Sequence, residues 1–217
     1  MTEAGDIAAT RRSYDTVAAD YERLLAGQLT EVPLDRAMLD AFVREVGAGD
    51  GPRTVGDLGC GTGRVTSYLR DAGAEVFGLD LSPGMIAVAR ETCPGLRFQV
   101  GSMSALDLPG DSLGGVLSWY STVHMPEAEL QASFAEFHRV LAPGGHVLVA
   151  FKVGNERVRL ERAYGHPVTL DVYRWSPDRI AGHLAAAGFV ESVRLVRGPH
   201  PDEKTPQGFL LARKPGR

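Results

Sequence analysis

The chain has 217 residues, of which 44% are hydrophobic and 23% charged, a balance typical of a globular protein with one sizeable core. The formal net charge is −4 and the basic residues form no continuous stripe, which argues against a protein that binds nucleic acid. The two cysteines and the spacing of the histidines and acids predict neither a disulfide framework nor a metal site. No signal peptide and no apolar run of about 18 residues is present, so we expect a cytoplasmic protein that contacts no membrane.

Strands and helices alternate through the middle of the chain, after a frayed stretch at 1–10 and two helices at 11–21 and 34–46. We predict strands at 54–58, 74–79, 96–100, 114–119 and 146–153, and helices at 64–72, 82–92 and 126–141. The helix at 82–92 opens with Ser82 as its N-cap and Pro83 in its first turn. Such an alternation forms a parallel sheet that is covered by helices on both faces.

The alternation stops at 154–175, which shows no clear periodicity and is expected to be an irregular, lid-like segment. A helix from Ser176 to about Gly188 follows, and then two strands at 190–197 and 208–213. The connection between these strands is too short for a helical crossover, so they should pair antiparallel. The prediction is therefore an α/β, Rossmann-like, doubly wound sheet of seven strands, mostly parallel with an antiparallel last strand. It forms one domain over 1–217, in which 1–48 cover the site, 49–153 form the core and 176–217 complete the sheet.

The most informative motif lies at 55–63, where a strand ends and a helix begins. Gly59, Gly61 and Gly63 allow the backbone to turn close to a ligand at the carboxyl end of the sheet. Asp80 ends the next strand about 20 residues later, where an acid typically accepts hydrogen bonds from ribose hydroxyls. Asp57 precedes the glycines and would repel a pyrophosphate, but it suits a cation such as an ammonium group.

The sequence Asp-Leu-Gly-Cys-Gly-Thr-Gly at 57–63 resembles motif I of the small, single-domain class I S-adenosylmethionine-dependent methyltransferases. Segments 77–85, 101–109 and 137–145 are similar to further motifs of that family. The resemblance implies S-adenosylmethionine as the cofactor, S-adenosylhomocysteine as the product, and O- or N-methylation of a small-molecule acceptor by in-line displacement.

The resemblance also implies which residues bind the cofactor. Asp57 would hold the methionine ammonium, with Gly59, Cys60 and Gly61 along the methionine chain, and Asp80 would accept both ribose hydroxyls. Around the adenine the resemblance places Leu81, Met85, Ser102 and Met103, although the family usually has an Asp where Ser102 stands. Aromatic contacts to the cofactor would come from Tyr14, Tyr21, Trp119 and Tyr120.

Candidate catalytic residues lie in the loop at 119–126. His124 is its only imidazole and could be a general base, because the ordinary pKa of histidine lies near neutral pH. Tyr120 is a second candidate. The alternative for His124 is a purely structural role, since many methyl transfers need no strong base. Tyr164, His166, Tyr173 and Arg174 are candidate contacts to the acceptor, and Lys204 to Gln207 have no assigned role.

Three other functions stay open at this point. A nicotinamide-dependent oxidoreductase is disfavoured by Asp57 and by the glycine spacing, which is Gly-x-Gly-x-Gly here and Gly-x-Gly-x-x-Gly in dinucleotide-binding proteins. A cofactor-binding protein of the same fold that transfers no methyl group is compatible with the sequence. An RNA or protein methyltransferase is disfavoured by the lack of a basic face. The sequence does not define the acceptor, the atom methylated or the oligomeric state.

Overall fold

The computed structural model describes residues 3–25, 27, 29 and 32–216. Two helices, α1 (Glu3–Leu25) and α2 (Pro33–Ala48), precede the sheet. The prediction of a frayed stretch at 1–10 is wrong from Glu3 onwards, and residues 1 and 2 lie outside the described residues. We attribute the longer helix to tertiary packing, because α1 contacts both the fourth helix and the seventh strand of the chain.

The remaining elements follow the predicted alternation. In chain order they are β1 (Thr54–Leu58), α3 (Arg64–Asp71), β2 (Glu75–Asp80), α4 (Pro83–Thr92), β3 (Arg97–Val100), β4 (Leu113–Trp119), a 3-10 turn (Thr122–His124), α5 (Glu127–Val140), β5 (Leu141–Lys152), β6 (Arg157–Ala163), β7 (His166–Tyr173), α6 (Pro177–Ala186), β8 (Val190–Arg197) and β9 (Gln207–Arg213). Among the described residues, no helix is long and apolar enough to cross a membrane.

Seven strands form one sheet in the order β3-β2-β1-β4-β5-β9-β8. The pairs among β1 to β5 are parallel, whereas β9 pairs antiparallel with both β5 and β8. This confirms the predicted fold class. The sheet carries a buried apolar cluster on each face, one against α5 and α6 and the other against α2 and α3.

Local signals set where the helices begin. The Ser82 hydroxyl accepts a hydrogen bond from the Met85 N–H (3.0 Å), and Ser176 does the same for Arg179 (3.3 Å). Both serines are followed by a proline in the first turn, as predicted. The fifth strand begins earlier than predicted, at Leu141, because Leu141 already pairs with Leu113 and the ladder resumes at His146 after an irregularity.

The segment at 154–175 is ordered, so the prediction of an irregular segment is wrong. β6 and β7 form a separate antiparallel hairpin outside the main sheet. Tyr164 (φ 51°) and Gly165 (φ 86°) lie between the paired residues Ala163 and His166. Two central residues with positive φ are the geometry of a tight hairpin turn that matches the twist of its strands. The hairpin packs against α1 and lies over the carboxyl end of the sheet.

Candidate functional site

A cleft opens at the carboxyl ends of β1, β2 and β4, beneath α1 and the β6–β7 hairpin. It has two lobes, and both are lined by Tyr14, Tyr21, Gly59, Trp119, Tyr120 and His124. The first lobe extends along the end of β2. The second, which we call the hairpin lobe, extends beneath the hairpin to the end of β5. Their volumes, including solvent at the mouths, are about 770 and 2020 Å³.

The glycine turn brings bare backbone to the first lobe. Gly59, Gly61 and Gly63 all have positive φ, at 80°, 56° and 83°. The amides of Gly59 and Cys60 both donate to the Leu79 carbonyl, at 2.7 and 3.1 Å, which ties the turn to β2. A Cβ atom on Gly59 would lie 2.2 Å from the Cβ of Ser121. The turn therefore requires glycine at position 59 for both its conformation and its space.

Asp80 is held in a fixed orientation on the wall of the first lobe. One carboxylate oxygen accepts a hydrogen bond from the Gly61 N–H (2.8 Å), and the other accepts one from the Ser82 N–H (2.9 Å). Burial raises the pKa of Asp80, while these backbone N–H groups oppose the rise. Each carboxylate oxygen can accept more than one hydrogen bond, so both can still receive ligand hydroxyls.

Asp57 lies under the glycine turn and reaches the hairpin lobe. It is 1% exposed, and the Thr66 hydroxyl donates to its Oδ2 at 2.6 Å. Its Oδ1 accepts no hydrogen bond from any described residue. Burial raises the pKa of Asp57 to about 7, against the lowering effect of Thr66. A buried carboxylate oxygen without a donor is costly, so this atom suits a ligand that brings an ammonium group.

The far end of the first lobe is an apolar slot. Four of its lining residues are those predicted around an adenine: Leu81, Met85, Ser102 and Met103. Met85 and Met103 are buried, at 1% and 9% exposure. The Ser102 hydroxyl is hydrogen-bonded to the Ser104 hydroxyl at 2.9 Å. A slot with apolar walls and few polar groups suits a planar aromatic ring.

His124 lies where the lobes meet, and both of its ring nitrogens are engaged. Nδ1 is 2.7 Å from the Asp171 carbonyl oxygen, which can only accept, so Nδ1 carries the proton. Nε2, 2.7 Å from the Tyr14 oxygen, then accepts the Tyr14 hydroxyl proton. Burial lowers the pKa of His124 to about 4 and raises that of Tyr14 well above its ordinary value. Both side chains are therefore neutral near pH 7.

The other predicted aromatic residues lie around the same junction. The Tyr21 ring packs edge-on against Tyr164 (4.9 Å between centroids) and against Tyr14 (6.2 Å). Trp119 packs edge-on against Tyr120, at 5.6 Å. Tyr120 has a φ of 55°, a strained conformation for a residue of its size. Burial raises the pKa of the Tyr120 hydroxyl far above neutral, which does not favour proton transfer.

Some predicted residues are not brought to the cleft. His166 and Tyr173 line neither lobe: His166 Nε2 lies 2.7 Å from the Asp20 carboxylate, and Tyr173 stacks on Trp175 at 6.0 Å. Cys60 lines the hairpin lobe but not the first lobe, and burial raises the pKa of its thiol well above the ordinary value. Through its contact with Asp20, His166 connects the hairpin to α1 and does not line the cleft.

Several cleft residues were missed by the sequence analysis. Those with basic side chains in the hairpin lobe are Arg64, Lys152, Arg162 and Lys204. Lys152 had a usable signal, because it ends a parallel strand at the edge of the sheet where ligands bind. Lys204 precedes β9, so its position depends on tertiary packing. Tyr164 and Arg174, which were candidate acceptor contacts, do line this lobe. Lys204 to Gln207, which had no role, border this lobe.

The chain is similar to known methyltransferases. Residues 55–145 match a family model described as a methyltransferase domain. A demethylmenaquinone methyltransferase of Beutenbergia cavernae is 31% identical over 137 residues, which cover 63% of this chain and 55% of the relative. A malonyl-[acyl-carrier protein] O-methyltransferase of Pseudescherichia vulneris is 30% identical over 148 residues, with 68% and 58% covered. The chain thus spans about half the length of the curated relatives it matches.

A solved structure extends the likeness to nearly the whole chain. It is the 1,6-didemethyltoxoflavin-N1-methyltransferase of Burkholderia thailandensis, with bound 1,6-didemethyltoxoflavin and S-adenosylhomocysteine. The two chains superpose with a TM-score of 0.75 at 21% identity, over 99% of this chain and 91% of the other. At this identity the likeness shows that the fold is shared.

Proposed function

We propose that this chain is a class I S-adenosylmethionine-dependent methyltransferase, and that it methylates an oxygen or nitrogen atom of a small-molecule acceptor. The observation that carries the proposal is the two-lobed cleft. One lobe has the residues for a nucleoside, and the other, covered by the hairpin, leaves room for a second molecule. The name of the Burkholderia structure pairs S-adenosylhomocysteine with such a small molecule, which supports the same arrangement here.

The cofactor would be held by groups that the fold already orients. Asp80 would accept the ribose hydroxyls, because its carboxylate is fixed by two backbone N–H groups. The Oδ1 of Asp57, to which no described residue donates, would accept the methionine ammonium. The apolar slot between Met85 and Met103 would hold the adenine. When bound, S-adenosylmethionine supplies a methyl group that is activated by a positively charged sulfur.

We assign His124 a positioning role in place of general base catalysis. Its Nε2 lone pair is occupied by the Tyr14 hydroxyl and its Nδ1–H by the Asp171 carbonyl, so neither nitrogen is free to take a proton from an acceptor. The pair instead fixes α1 and the loop after β4 at the junction of the lobes. Methyl transfer depends mainly on such alignment, with reacting atoms about 3–3.5 Å apart. The acceptor then has to present its own lone pair.

The experiment that tests the proposal is calorimetric titration of the protein with S-adenosylmethionine, S-adenosylhomocysteine and NAD, each separately. We expect the first two to bind and NAD not to bind, because the Asp57 carboxylate would repel a pyrophosphate. Binding of NAD alone would support an oxidoreductase and overturn the proposal. A screen of small acceptors for S-adenosylhomocysteine formation follows; binding without turnover on any acceptor would favour a non-transferring protein.

A further inference from the structure

Lys152 brings a positive charge into the hairpin lobe. It is the last residue of β5, it lines the lobe, and it is half-buried. Its ammonium group forms neither a hydrogen bond nor an ion pair within the part of the chain that the structure describes. A charge that is partly removed from water without a partner is costly, and a ligand of opposite charge removes that cost.

The charges around Lys152 favour an anion. Burial is the main cause that lowers the pKa of the Lys152 ammonium; the charges of Arg174 and Lys204 lower it further, and only Glu203 among the named causes raises it. Arg174 pairs through one terminal nitrogen with Glu156, and its buried Nε has no acceptor among the described residues. This concentration of positive charge contrasts with the net charge of −4 of the whole chain.

Three acids line the same lobe, but the structure gives none of them a bond to Lys152. Both Glu203 oxygens accept hydrogen bonds from the Arg197 guanidinium, at 2.5 and 2.8 Å. Asp57 is bonded to Thr66 under the glycine turn, and Asp202 is exposed. The Lys152 ammonium is therefore available to a ligand.

The position of Lys152 connects it to the proposed reaction. Its charge contributes to the lowered pKa of His124, which lies at the junction of the two lobes. The wall that the hairpin forms is largely apolar, with Val158, Leu160 and Val172, although it also carries Arg162. An acceptor that contacts both this wall and Lys152 has an apolar body and a negatively charged group near the junction.

We propose that the hairpin lobe binds an anionic acceptor, an organic acid whose carboxylate or phosphate-type group contacts Lys152, with Arg174 and Lys204 nearby. This inference rests on the proposed function, because it names the substrate class of that same cleft. Lys152 acts by binding and orienting the acceptor.

The test compares acids with amides of the same shape. The protein is saturated with S-adenosylhomocysteine and titrated calorimetrically with benzoate and benzamide, with salicylate and salicylamide, and with inorganic phosphate. We expect at least one acid to bind about 10-fold or more tightly than its amide, the effect of one charge-assisted hydrogen bond. The preference should weaken as the salt concentration rises.

Two variants assign the preference to its residue. Lys152→Gln should abolish the preference for the acid while S-adenosylhomocysteine still binds, which shows that the variant is folded. Arg53→Gln removes an equal charge from an exposed position outside the cleft and should keep the preference. Failure of the wild type to bind S-adenosylhomocysteine would contradict the proposed function and, with it, this inference. If S-adenosylhomocysteine binds normally, two results contradict this inference and leave the proposed function intact. One is that no acid binds more tightly than its amide and phosphate does not bind. The other is that the preference for the acid survives in Lys152→Gln.

Discussion

The shape of the site depends on Gly59, because no side chain fits at this position. Its φ of 80° disfavours any other residue, and its Cβ would collide with Ser121, whose hydroxyl donates to the Leu58 carbonyl at 2.8 Å. We expect Gly59→Ala to cost roughly 1–2 kcal/mol for the left-handed backbone and about 1–3 kcal/mol for overpacking. The same variant should lose cofactor binding, because Ser121, which lines the first lobe, has to move.

The matched control for that variant is Gly73→Ala. Gly73 also has a left-handed backbone, with φ 96°, but a Cβ there would meet no atom within 4 Å. It should show only the backbone cost, about 1–2 kcal/mol in urea unfolding, and bind S-adenosylhomocysteine normally. Equal effects of the two variants would contradict the importance of the contact with Ser121.

Asp80 is the residue that we propose as the acceptor for the ribose hydroxyls of the cofactor. Asp80→Asn keeps the shape but replaces one acceptor oxygen with an amide group, which faces a backbone N–H and cannot accept from it. We expect S-adenosylmethionine affinity to fall by about 1–3 kcal/mol, roughly 5- to 150-fold, as measured by calorimetry. The exposed Asp50→Asn serves as the control and should bind like the wild type. An unchanged affinity for Asp80→Asn would remove the ribose assignment.

His124 connects three elements: α1 through Tyr14, the loop after β4, and β7 through the Asp171 carbonyl. Its pKa is about 4 in the folded chain against an ordinary value of 6.5, so between these values the unfolded chain binds a proton that the folded chain does not. Stability from this group is complete above pH 6.5 and is lost as the pH falls towards 4. The loss amounts to about 3 kcal/mol at most.

Comparison of variants isolates this contribution. We expect His124→Gln to show a smaller loss of unfolding free energy than the wild type between pH 6.5 and pH 4.5, in urea titrations. The raised pKa of Asp57 acts in the opposite direction in the same range, but it is common to both proteins and cancels in the difference. His200→Gln, on the loop before β9, controls for the loss of a histidine elsewhere. Parallel pH profiles for His124→Gln and the wild type would contradict the role of the buried imidazole.

Elements with strong local signals could be predicted from the sequence, and the hairpin could not. Ser82 and Ser176 fix two helix starts by hydrogen bonds within a few residues, so their signals are local. The hairpin does alternate, with Val158 and Leu160 on one strand and Val168, Leu170 and Val172 on the other. However, the register shifts between Leu160 and Arg162, and the turn is Tyr-Gly, which lacks the Asn or Asp that usually marks such a turn.

The site divides in the same way. Asp57, Asp80 and the glycines follow strand ends, so the topology of a parallel sheet places them together. The position of α1 and the hairpin over the cleft instead depends on contacts between residues that are distant in sequence. In one of them the Ser13 hydroxyl donates to the Thr169 carbonyl at 3.3 Å. Nothing in either local segment indicates that contact. The walls of the hairpin lobe could not be defined from the sequence, because they come from the hairpin and the approach to β9.

At the scale of the molecule, the cleft is built from a sheet and a separate cover. α1 is tied to α4 by Asp15, which accepts hydrogen bonds from the Ser82 hydroxyl (2.6 Å) and the Gly84 N–H (2.9 Å). It is tied to the hairpin by Asp20 and His166. The apolar cluster beneath this cover has far fewer buried residues than the clusters on the two faces of the sheet. Small clusters open at lower free energy than large ones, so we expect α1 and the hairpin to open while the sheet stays folded.

This arrangement predicts which segments exchange their amide hydrogens more slowly when the cofactor binds. In hydrogen exchange of the free protein, amides of α1 and of the β6–β7 hairpin should exchange faster than those of β4 and β5. S-adenosylhomocysteine at 100 times its Kd stabilises the folded state by about 2.7 kcal/mol, which corresponds to about 100-fold slower exchange wherever opening requires release of the ligand. That protection should appear in α1 and the hairpin, whose Tyr14, Tyr21 and Tyr164 surround the junction of the lobes. The amides of β8, a mostly exposed strand, are the internal control, and their exchange through local opening should change little when the cofactor binds. Protection confined to the glycine turn, with α1 and the hairpin unaffected, would mean that they do not close over the cofactor.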